Sequence, residues 1–366
     1  MHNNMTIQDI ARLAGVSKAT VSRVLNNHPS VNALLRERVQ RIVQEYDFVP
    51  SVTAIGLAGG HTRLLGVLAP PLTWPAVPEI MHGVAAYVES TDYEIVLYST
   101  GFERNHADVL NRILSMKMVA GLLAIFPGEL SHHLTPRFQH GFPLVTIDDQ
   151  IEPAILPWVG IDNIASAYEA TRHLLDLGHR RIAHILGPQH YYCAIERYQG
   201  YCRALQDAGI APDPTLVLQG AFEPASGRQC AAELFSRERH DWPTAIFAAN
   251  DQMAYGVLEV AEQQGIQVPE EVAVVGFDDN SFSAHVRPSL TTMRQPFSDM
   301  GRKAIEALIT LIDQSQSMEK GAQKHPMQQA SEHSFKEGQA SLRIQVPTHL
   351  VVRASSGIPR PLSMSV

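Results

Sequence analysis

From Leu64 onward, short apolar runs alternate with stretches that have the spacing of amphipathic helices. Runs such as LLGVLAP, VAGLLAIF and VAVVGFDD are apolar at successive positions, which is typical of strands buried on both faces. Because helical stretches separate these strands, we expect a parallel sheet with helices on both sides. About 290 residues is long for a single sheet of this kind, so the sequence predicts two α/β lobes.

The N-terminal segment 6–26, TIQDIARLAGVSKATVSRVLN, has a helical period instead. Two short helical patterns meet at Gly15, a residue suited to a tight turn. Thr6 is expected to cap the first helix, with a capping-box spacing to Asp9, and Ser17 is expected to cap the second. The segment therefore predicts two short helices joined by a turn.

The second of these helices has two opposed faces. Drawn at about 100° per residue, Val21, Val24 and Leu25 fall on one side. The opposite side carries small, hydrogen-bonding and cationic residues, namely Lys18, Ala19, Ser22, Arg23 and Asn26. A helix-turn-helix needs this arrangement to enter a major groove, although an ordinary solvated helical hairpin fits the angles equally well.

A third helix is predicted over residues 32–46, with Asn32 as its cap, and it would complete a three-helix headpiece. Pro50 marks the end of this unit, since proline disfavours helix at the residue before it. We therefore predict an all-α headpiece over residues 1–48 and a hinge or linker over 49–61.

Charge is distributed unevenly along the chain, whose net charge is −8. Residues 1–63 carry seven Lys or Arg against four Asp or Glu, a net charge of +3, which leaves −11 for the remainder. A basic N-terminal region on an acidic body favours phosphate binding by the N-terminal region alone.

Several classes of protein are disfavoured by the composition. No apolar run reaches the length of a membrane span, and the N-terminus lacks the apolar core of a signal peptide, so a cytoplasmic protein is expected. Three cysteines at no metal-ligand spacing suggest reduced structural thiols. We expect no catalytic residues, no metal site and no cofactor, and we place His132 and His133 in a solvent-exposed polar loop.

The segment 6–26 resembles the N-terminal signature of the lactose/galactose repressor (LacI/GalR-type) family of bacterial transcription regulators. Similar segments continue through the body: GIDN at 160–163, ERYQGYCRAL at 196–205, AIFAANDQMAYG at 245–256, VPEEVAVVGFDD at 268–279, PSLTTMRQP at 288–296 and PTHLVVR at 347–353. The resemblance implies a helix-turn-helix headpiece followed by a two-lobe core similar to type I periplasmic sugar-binding proteins, with three crossover connections.

The resemblance also implies boundaries within the core, residues 62–356. The N-lobe would comprise residues 62–162 and 292–313, and the C-lobe residues 163–291 and 341–356. Residues 313–340 are rich in Gln, Ser, Lys and Glu, which predicts a disordered or surface insertion. Residues 357–366 are expected to form a tail.

DNA-binding residues can be carried over from the family position by position. The matching residues imply that Lys18 and Ala19 set operator preference and that Arg23 contacts bases, where arginine pairs with guanine. The side chains of Ser17, Ser22 and Asn26 suit phosphate contacts. Thr6 completes this predicted set in the headpiece.

In the hinge, the resemblance matches Leu57 to a leucine that, in the family, wedges into the minor groove at the operator centre. Ser51 and Ile55 depart from the family, which usually has Asn and Arg there, and Gly56 lowers helix propensity. The alternative is a plain linker with Leu57 buried between lobes.

The family also places an arginine, an asparagine and an aspartate in the cleft, and these match Arg197, Asn250 and Asp278. The full predicted effector site is Trp74, Asp148, Arg197, Phe222, Asn250, Asp278 and Gln295. The two aromatic residues would support the C–H face of a sugar ring. A structural hydrogen-bond network, or core packing for the aromatic pair, is the alternative.

These inferences predict a transcriptional repressor rather than an enzyme. A homodimer would bind pseudo-palindromic double-stranded operator DNA at the nucleoid, and a small effector, a mono- or oligosaccharide, would control its affinity. The alternatives are a nucleobase, a sugar phosphate or a protein as co-effector, or a solute-binding protein without regulation.

Overall fold

The computed structural model describes residues 5–25, 29–48, 62–99, 118–148, 155–324 and 342–357, together with Leu110. These residues form an N-terminal helical headpiece and an α/β body, so the predicted fold class is confirmed. The predicted hinge at 49–61, Asn26 and Leu57 lie outside the described residues.

The headpiece contains three helices: α1 Ile7–Ala14, α2 Lys18–Leu25 and α3 Ala33–Glu45. Thr6 and Asp9 form the predicted capping box on α1, and Gly15 ends that helix with a left-handed φ of 66°. The three helices bury a small apolar core: Ile10, Ala11, Ala14, Val21, Val24, Val39 and Phe48.

The first lobe of the body alternates strands and helices as the sequence predicts. Its elements are β1 Leu64–Ala69, α4 Ala76–Val88, β2 Glu94–Ser99, β3 Gly121–Ile125, α5 Ser131–Gln139, β4 Leu144–Ile147 and β5 Trp158–Gly160. With β11 (Arg343–Gln345) these strands form a six-stranded sheet of order β11-β5-β4-β3-β1-β2 among the described residues.

The second lobe repeats this construction. Its elements are α6 Asn163–Asp176, β6 Ile182–Leu186, α7 Tyr192–Asp207, β7 Val217–Gln219, α8 Pro224–Phe235, β8 Ala245–Ala248, α9 Asp251–Gln264, β9 Ala273–Asp278 and β10 Thr291–Arg294. With β12 (His349–Val351) they form a sheet of order β12-β10-β9-β8-β6-β7. β12 pairs antiparallel with β10, whereas β10, β9, β8, β6 and β7 pair parallel with their neighbours in that order.

Two predicted lobe boundaries differ from the sheets. β10 pairs with β9 in the second lobe, with Thr292 opposite Gly276, so the chain returns to the first lobe after Arg294 rather than at 292. β11 pairs with β5 in the first lobe, with Arg343 opposite Trp158, so residues 343–345 do not belong to the C-lobe. In both places the backbone hydrogen bonds of the strand pair it with the other lobe than the predicted boundary implies.

The last long helix, α10 Phe297–Lys324, packs against α4, β3 and β4 of the first lobe. It continues beyond residue 313, so the prediction of a disordered insertion is wrong for residues 313–324. Adding residues to an existing helix costs less free energy than nucleating a new one. The turns of α10 before residue 313 are anchored by the buried side chains of Leu308 and Ile312. The rest of the predicted insertion, residues 325–340, lies outside the described residues.

A second correction concerns His132 and His133. Both are exposed as expected, but they lie on α5 rather than in a loop. Leu134 and Phe138 of that helix are buried, and their spacing of four residues holds it on the lobe. A proline at 136 within the segment obscures this pattern in the sequence.

Within the described ranges, no helix combines the length and hydrophobicity needed to cross a membrane. The same part of the chain contains no group of three or more His, Cys, Asp or Glu side chains placed to hold a metal ion. Cys193, Cys202 and Cys230, all within the described residues, are not joined by disulfide bonds.

Candidate functional site

Helix α2 has the two faces that the sequence predicts. Val21 and Val24 are buried in the headpiece core, whereas Lys18, Ala19 and Arg23 are exposed. The helix therefore presents one short methyl group and two cationic side chains on its outer surface. This is a surface that can approach base edges in a major groove.

Two residues of the predicted DNA-binding set, Thr6 and Ser17, lie at helix starts. Ser17 is exposed, and its Oγ accepts a 3.1 Å hydrogen bond from the backbone N–H of Thr20. Thr6 is exposed at the start of α1 and donates from Oγ1 to Asp9, while Ser22 is half-buried. Both helix N-termini thus carry small polar residues beside backbone N–H groups, a combination suited to anions.

All seven residues predicted for the effector site line one cavity of about 380 Å³ in the body. They come from both lobes, since Trp74 and Asp148 follow β1 and β4 while Phe222, Asn250 and Asp278 lie at the ends of β7, β8 and β9. The carboxyl ends of parallel strands are where open α/β sheets bind ligands. The volume lies within the range of small-molecule sites.

A chain of polar contacts forms one end of the cavity. Gln295 donates from Nε2 to Asp278 Oδ1 at 2.7 Å, and Arg197 Nη1 lies 3.8 Å from the same oxygen. Gln295 is aligned further by its backbone N–H, which donates to the carbonyl of Asp278 at 3.1 Å. The three side chains are thus fixed relative to one another before any ligand enters.

Arg197 is buried and held on several sides. Its Nε donates to Asn163 Oδ1 at 2.9 Å, and its Nη1 donates to the carbonyl of Ala249 at 2.7 Å. The guanidinium also lies 3.9 Å from the centre of the Phe277 ring, a cation–π arrangement. The alternative structural role predicted for Arg197 is therefore present alongside its position in the cavity lining.

Asn250 serves as the cap of α9. Its Oδ1 accepts from the backbone N–H of Met253 at 3.0 Å, and its Nδ2 donates to the carbonyl of Phe222 at 3.1 Å. The neighbouring Asp251 is fully buried and accepts from Thr292, Ser283 and the backbone N–H of Asn280. Asp251 is therefore held by hydrogen bonds inside the second lobe.

Aromatic side chains form a continuous wall across the two lobes. Trp74 and Phe126 of the first lobe have ring centres 6.5 Å apart, and Trp74 meets Tyr191 of the second lobe edge-on at 5.9 Å. Tyr191 in turn lies 6.0 Å from Phe222. Such a wall offers apolar faces to flat or ring-shaped ligands.

The backbone is strained at several positions around the cavity. Four lining residues other than glycine have positive φ: Phe126 at 48°, Asp148 at 53°, Phe222 at 61° and Asp278 at 119°. Side-chain-bearing residues rarely adopt these angles, and such strain is concentrated at binding sites.

Comparisons with known proteins agree with this architecture. Residues 6–51 match the profile of bacterial regulatory proteins of the lacI family, and residues 171–356 match that of a periplasmic binding protein-like domain. The transcriptional regulator DegA of Bacillus subtilis is 32% identical over 301 residues, which cover 81% of this chain and 88% of DegA.

The chain belongs to the LacI family.

Two solved structures extend this finding. A complex of the transcriptional regulator CelR with cellobiose is 31% identical, covers 96% of this chain and 99% of that one, and has a TM-score of 0.68. The Lac repressor dimer bound to operator and the anti-inducer ONPF shares the fold, with a TM-score of 0.80 and 24% identity over 97% of this chain and 99% of that one. This LacI-family protein is thus a DNA-binding regulator with an effector-binding body.

Acidic groups of this LacI-family protein crowd the region around the cavity. Burial raises the pKa of Asp278, and the charges of Asp148 and Glu79 add to that effect, while Arg197 and Gln295 oppose it. Burial and the charge of Asp148 raise the pKa of Glu196 to about 7, although a hydrogen bond from Asn163 favours the charged form. An additional negative charge in this region, beside these carboxylates, is therefore unfavourable.

Sequence reasoning missed several lining residues of this LacI-family site. They include Phe126, Tyr191, Cys193, Gln252, Asn280 and Phe297. Phe126 directly follows β3 and Asn280 follows β9, so the rule that ligands bind at the carboxyl ends of strands could have found both. Cys193, expected to be only structural, is buried but also faces the cavity.

Proposed function

We propose that this protein is a transcriptional repressor whose affinity for operator DNA is set by a neutral sugar bound between its two lobes. The observation that carries the effector class is the lining of the cavity, where a fixed polar end faces an aromatic wall. The surface of α2 carries the DNA-binding half of the proposal.

In this proposal α2 enters the major groove of the operator. Arg23 and Lys18 donate to base edges, Ala19 leaves room for a base or a thymine methyl, and Ser17 and Ser22 contact phosphates. Thr6 and Asn26 complete the phosphate contacts, and Leu57 wedges into the minor groove. Two copies of the chain bind a pseudo-palindromic site, as symmetric dimers do.

Charge supports a neutral effector over a sugar phosphate. The described lining contains Asp148, Glu223 and Asp278 but a single cationic side chain, Arg197. That guanidinium already donates to Asn163 and Ala249. A phosphate would face more negative than positive charge, whereas sugar hydroxyls can both donate to the carboxylates and accept from the arginine.

The aromatic wall supports a ring-bearing effector of some length. Phe126, Trp74, Tyr191 and Phe222 follow one another from the first lobe to the second. The CelR structure, which is 31% identical to this chain, contains cellobiose, a disaccharide. We therefore favour a disaccharide, with ring faces against this wall.

Coupling between effector and operator follows from the position of the cavity. Because lining residues come from both lobes, a bound ligand stabilises one arrangement of the lobes over others. Any difference in operator affinity between those arrangements then makes effector and DNA binding interdependent. The protein would act in the cytoplasm, where operator DNA lies, and as a regulator rather than an enzyme.

The test begins with thermal unfolding of the full chain in a ligand panel: glucose, galactose, ribose, cellobiose, lactose, glucose 6-phosphate, adenine and hypoxanthine. A ligand at about 100 times its Kd stabilises the folded state by roughly 2.7 kcal/mol. We expect a neutral sugar, foremost cellobiose, to raise the Tm by several degrees. A shift produced only by glucose 6-phosphate or by a nucleobase would refute the neutral-sugar assignment.

The second stage measures the affinity for a palindromic duplex, selected from a random library, with and without the stabilising sugar. The Arg197→Ala variant should still bind the duplex but lose its response to the sugar. Arg203→Ala is the matched control, because Arg203 lies on the same helix, is exposed and stacks on Tyr168 instead. A sugar that binds the wild type but leaves its affinity for the duplex unchanged would refute the proposed control of operator binding by that sugar.

A further inference from the structure

Two of the segments in which the chain passes between the lobes are bonded to each other. Residues 161–162 connect β5 of the first lobe to α6 of the second, and residues 346–348 connect β11 of the first lobe to β12 of the second. The backbone N–H of Val346 donates to the carbonyl of Gly160 at 2.8 Å. Because both connecting segments join the same two lobes, a change in the arrangement of the lobes must act on them.

The first turn of α6 is bonded to both connecting segments. Asp162 caps the helix through Oδ1, which accepts from the backbone N–H of Ala165 at 2.8 Å. Ser166 donates from Oγ to the carbonyl of Asp162 at 2.5 Å, and the same Oγ lies 2.7 Å from Thr348 Oγ1. A serine hydroxyl has one proton, so Thr348 is the donor in this second hydrogen bond. Ser166 is only 2% exposed, so the bond is shielded from water.

The same turn of α6 holds the arginine of the effector cavity. Asn163 is buried, and its Oδ1 accepts from Arg197 Nε at 2.9 Å while its Nδ2 donates to Glu196 Oε2 at 3.1 Å. Since an arginine can only donate, the amide oxygen must face it, which leaves the amide nitrogen for Glu196. Asn163 and Ser166 are three residues apart and so lie on the same side of the helix. One helical turn therefore contacts both the cavity arginine and the connecting segments.

Helices α6 and α7 approach each other closely beside this turn. Gly200 of α7 follows Arg197 by three residues, and a Cβ there would lie 2.3 Å from the carbonyl oxygen of Ile164 and 2.9 Å from the backbone nitrogen of Tyr168. The first turn of α6 therefore has no room to move toward the part of α7 that carries Arg197. A shift of that part of α7 toward α6 must displace α6 as well.

We propose that Asn163 and Ser166 are positioning residues that link the effector cavity to the connecting segments between the lobes. A ligand that bonds to Arg197 acts through Asn163 on the first turn of α6, and Ser166 passes this to residues 346–348 through Thr348. The inference rests on the proposed function, because it concerns control of operator binding from the same cavity. Neither Asn163 nor Ser166 belongs to the described lining of that cavity, so neither is assigned a contact with the ligand.

The experiment measures the Kd of the full chain for the selected palindromic duplex, without sugar and with a saturating concentration of the stabilising sugar. The ratio of the two values gives the coupling between the two sites. The variants are Ser166→Ala, Asn163→Ala, Thr348→Val, which keeps the volume but removes the hydroxyl, and Thr348→Ser, which keeps the hydroxyl. Thr310→Val makes the same change at an exposed threonine of α10 and is the matched control.

We expect Ser166→Ala and Thr348→Val each to reduce the coupling ratio by about 2- to 10-fold, the equivalent of one neutral hydrogen bond. Their double variant should resemble either single variant, because both substitutions break the same bond. Thr348→Ser and Thr310→Val should keep the wild-type ratio. A purely structural role would lower the Tm and leave the ratio at saturating sugar unchanged.

Asn163→Ala should affect both steps. Calorimetric titration should show weaker sugar binding, because Arg197 loses the partner that fixes its Nε, and the coupling ratio at saturating sugar should also fall. Thermal unfolding checks that each variant is folded. If Asn163→Ala does not fold, the Ser166 and Thr348 variants decide the outcome.

The outcomes separate this inference from the proposed function. If a sugar changes the operator affinity of the wild type and the folded variants keep the wild-type ratio, the link through α6 is refuted and the sugar-responsive regulator stands. Additive losses in the double variant would also refute it, since the hydrogen bond between Ser166 and Thr348 would not be the cause. If no sugar of the panel changes the operator affinity of the wild type, the proposed function fails and the link fails with it.

Discussion

Asn163 of α6 donates from Nδ2 to Glu196 Oε2 of α7 at 3.1 Å, in a region crowded with other carboxylates. The same asparagine accepts from Arg197 through Oδ1, so its orientation is fixed. Burial and the charge of Asp148 nevertheless raise the pKa of Glu196 from 4.5 to about 7. Glu196 therefore links the protonation of this region to the stability of the fold.

Glu196 should make the protein less stable as pH rises. Its pKa is higher in the folded than in the unfolded state, so the folded state binds more protons between about pH 4.5 and 7. The free energy of unfolding contributed by this group therefore falls across that interval. Glu196→Gln keeps an acceptor for Asn163 but cannot ionise, so it should stabilise the protein by roughly 1–2 kcal/mol above pH 7 and little near pH 4.5.

Chemical unfolding of wild type and Glu196→Gln at pH 5 and pH 8 measures this difference. Other buried acids such as Asp278 titrate in both proteins. The difference between the unfolding free energies of wild type and Glu196→Gln therefore isolates the contribution of Glu196. Glu262→Gln, on the exposed side of α9, is the control and should change little at either pH. Equal stabilisation by Glu196→Gln at both values of pH would contradict the assignment.

Arg23→Ala should weaken operator binding by about 1–3 kcal/mol, which is the expected cost of losing an arginine–guanine contact. Arg23 is exposed on the face of α2 opposite Val21 and Val24, so the fold should be unaffected. Fluorescence anisotropy with the selected duplex provides the measurement. Arg172→Ala removes the same charge from an ion pair with Asp176 on the body and should leave the affinity unchanged.

If both substitutions reduced affinity equally, general charge rather than base contact would be responsible. If neither did, the assignment of α2 to the major groove would be wrong. Binding to duplexes with single substitutions then shows which base pair Arg23 reads, since discrimination at that position should relax in the variant.

Periodicity in the sequence was sufficient to predict the elements around both sites. Val21 and Val24 share one side of a helix at 100° per residue, and they are the residues buried in the headpiece. Asp278 ends the continuous apolar run of β9, which places it at the ligand-binding edge of a parallel sheet. These features depend on local spacing, which a single sequence contains.

Features that depend on tertiary contacts were not predictable in this way. The crossing after Arg294 is set by pairing with β9, and the hydrogen bond from Gln295 to Asp278 exists only because those strands are neighbours. The lining role of Tyr191 depends on Trp74, which belongs to the other lobe. Arg197, Asn250 and Asp278 were predicted from the family resemblance. The spacing of residues along the chain does not show which distant residues lie close together in the fold.

Gly15→Ala should destabilise the headpiece by about 1 kcal/mol, because alanine disfavours the left-handed conformation. Gly15 has φ of 66°, and a Cβ there would meet no atom within 4 Å, so backbone strain is the sole cost. Hydrogen exchange of the full chain should show faster exchange of the α1 and α2 amides. Gly209→Ala has a similar φ of 71° and equally open space, so it tests the same strain at the end of α7.

Exchange in α1 and α2 should be unaltered in Gly209→Ala, which shows that the effect is local. Unchanged protection of both helices in Gly15→Ala would mean that the turn tolerates a side chain. The affinity for operator should follow the exchange data, since a less stable headpiece must be refolded by DNA at a cost to binding.

Gly276→Ala should be among the more damaging single-methyl changes in the second lobe. A Cβ at this position of β9 would lie 2.3 Å from Asp251 Oδ1 and 2.9 Å from Leu290 Cδ2. Asp251 cannot yield easily, because its buried carboxylate accepts from Thr292 at 2.5 Å and from Ser283 at 2.6 Å. Overpacking combined with loss of these hydrogen bonds should cost about 2–4 kcal/mol.

Denaturant unfolding of the single and double variants with Asp251→Ala tests the cause. Removing the carboxylate creates space beside residue 276, so the glycine substitution should cost much less in the Asp251→Ala background. Asp251 also holds the backbone of Asn280 at 2.8 Å, so Gly276→Ala should weaken sugar binding as well as stability. If the two substitutions were additive in unfolding free energy, contact between residues 276 and 251 would not be the reason that glycine is required here.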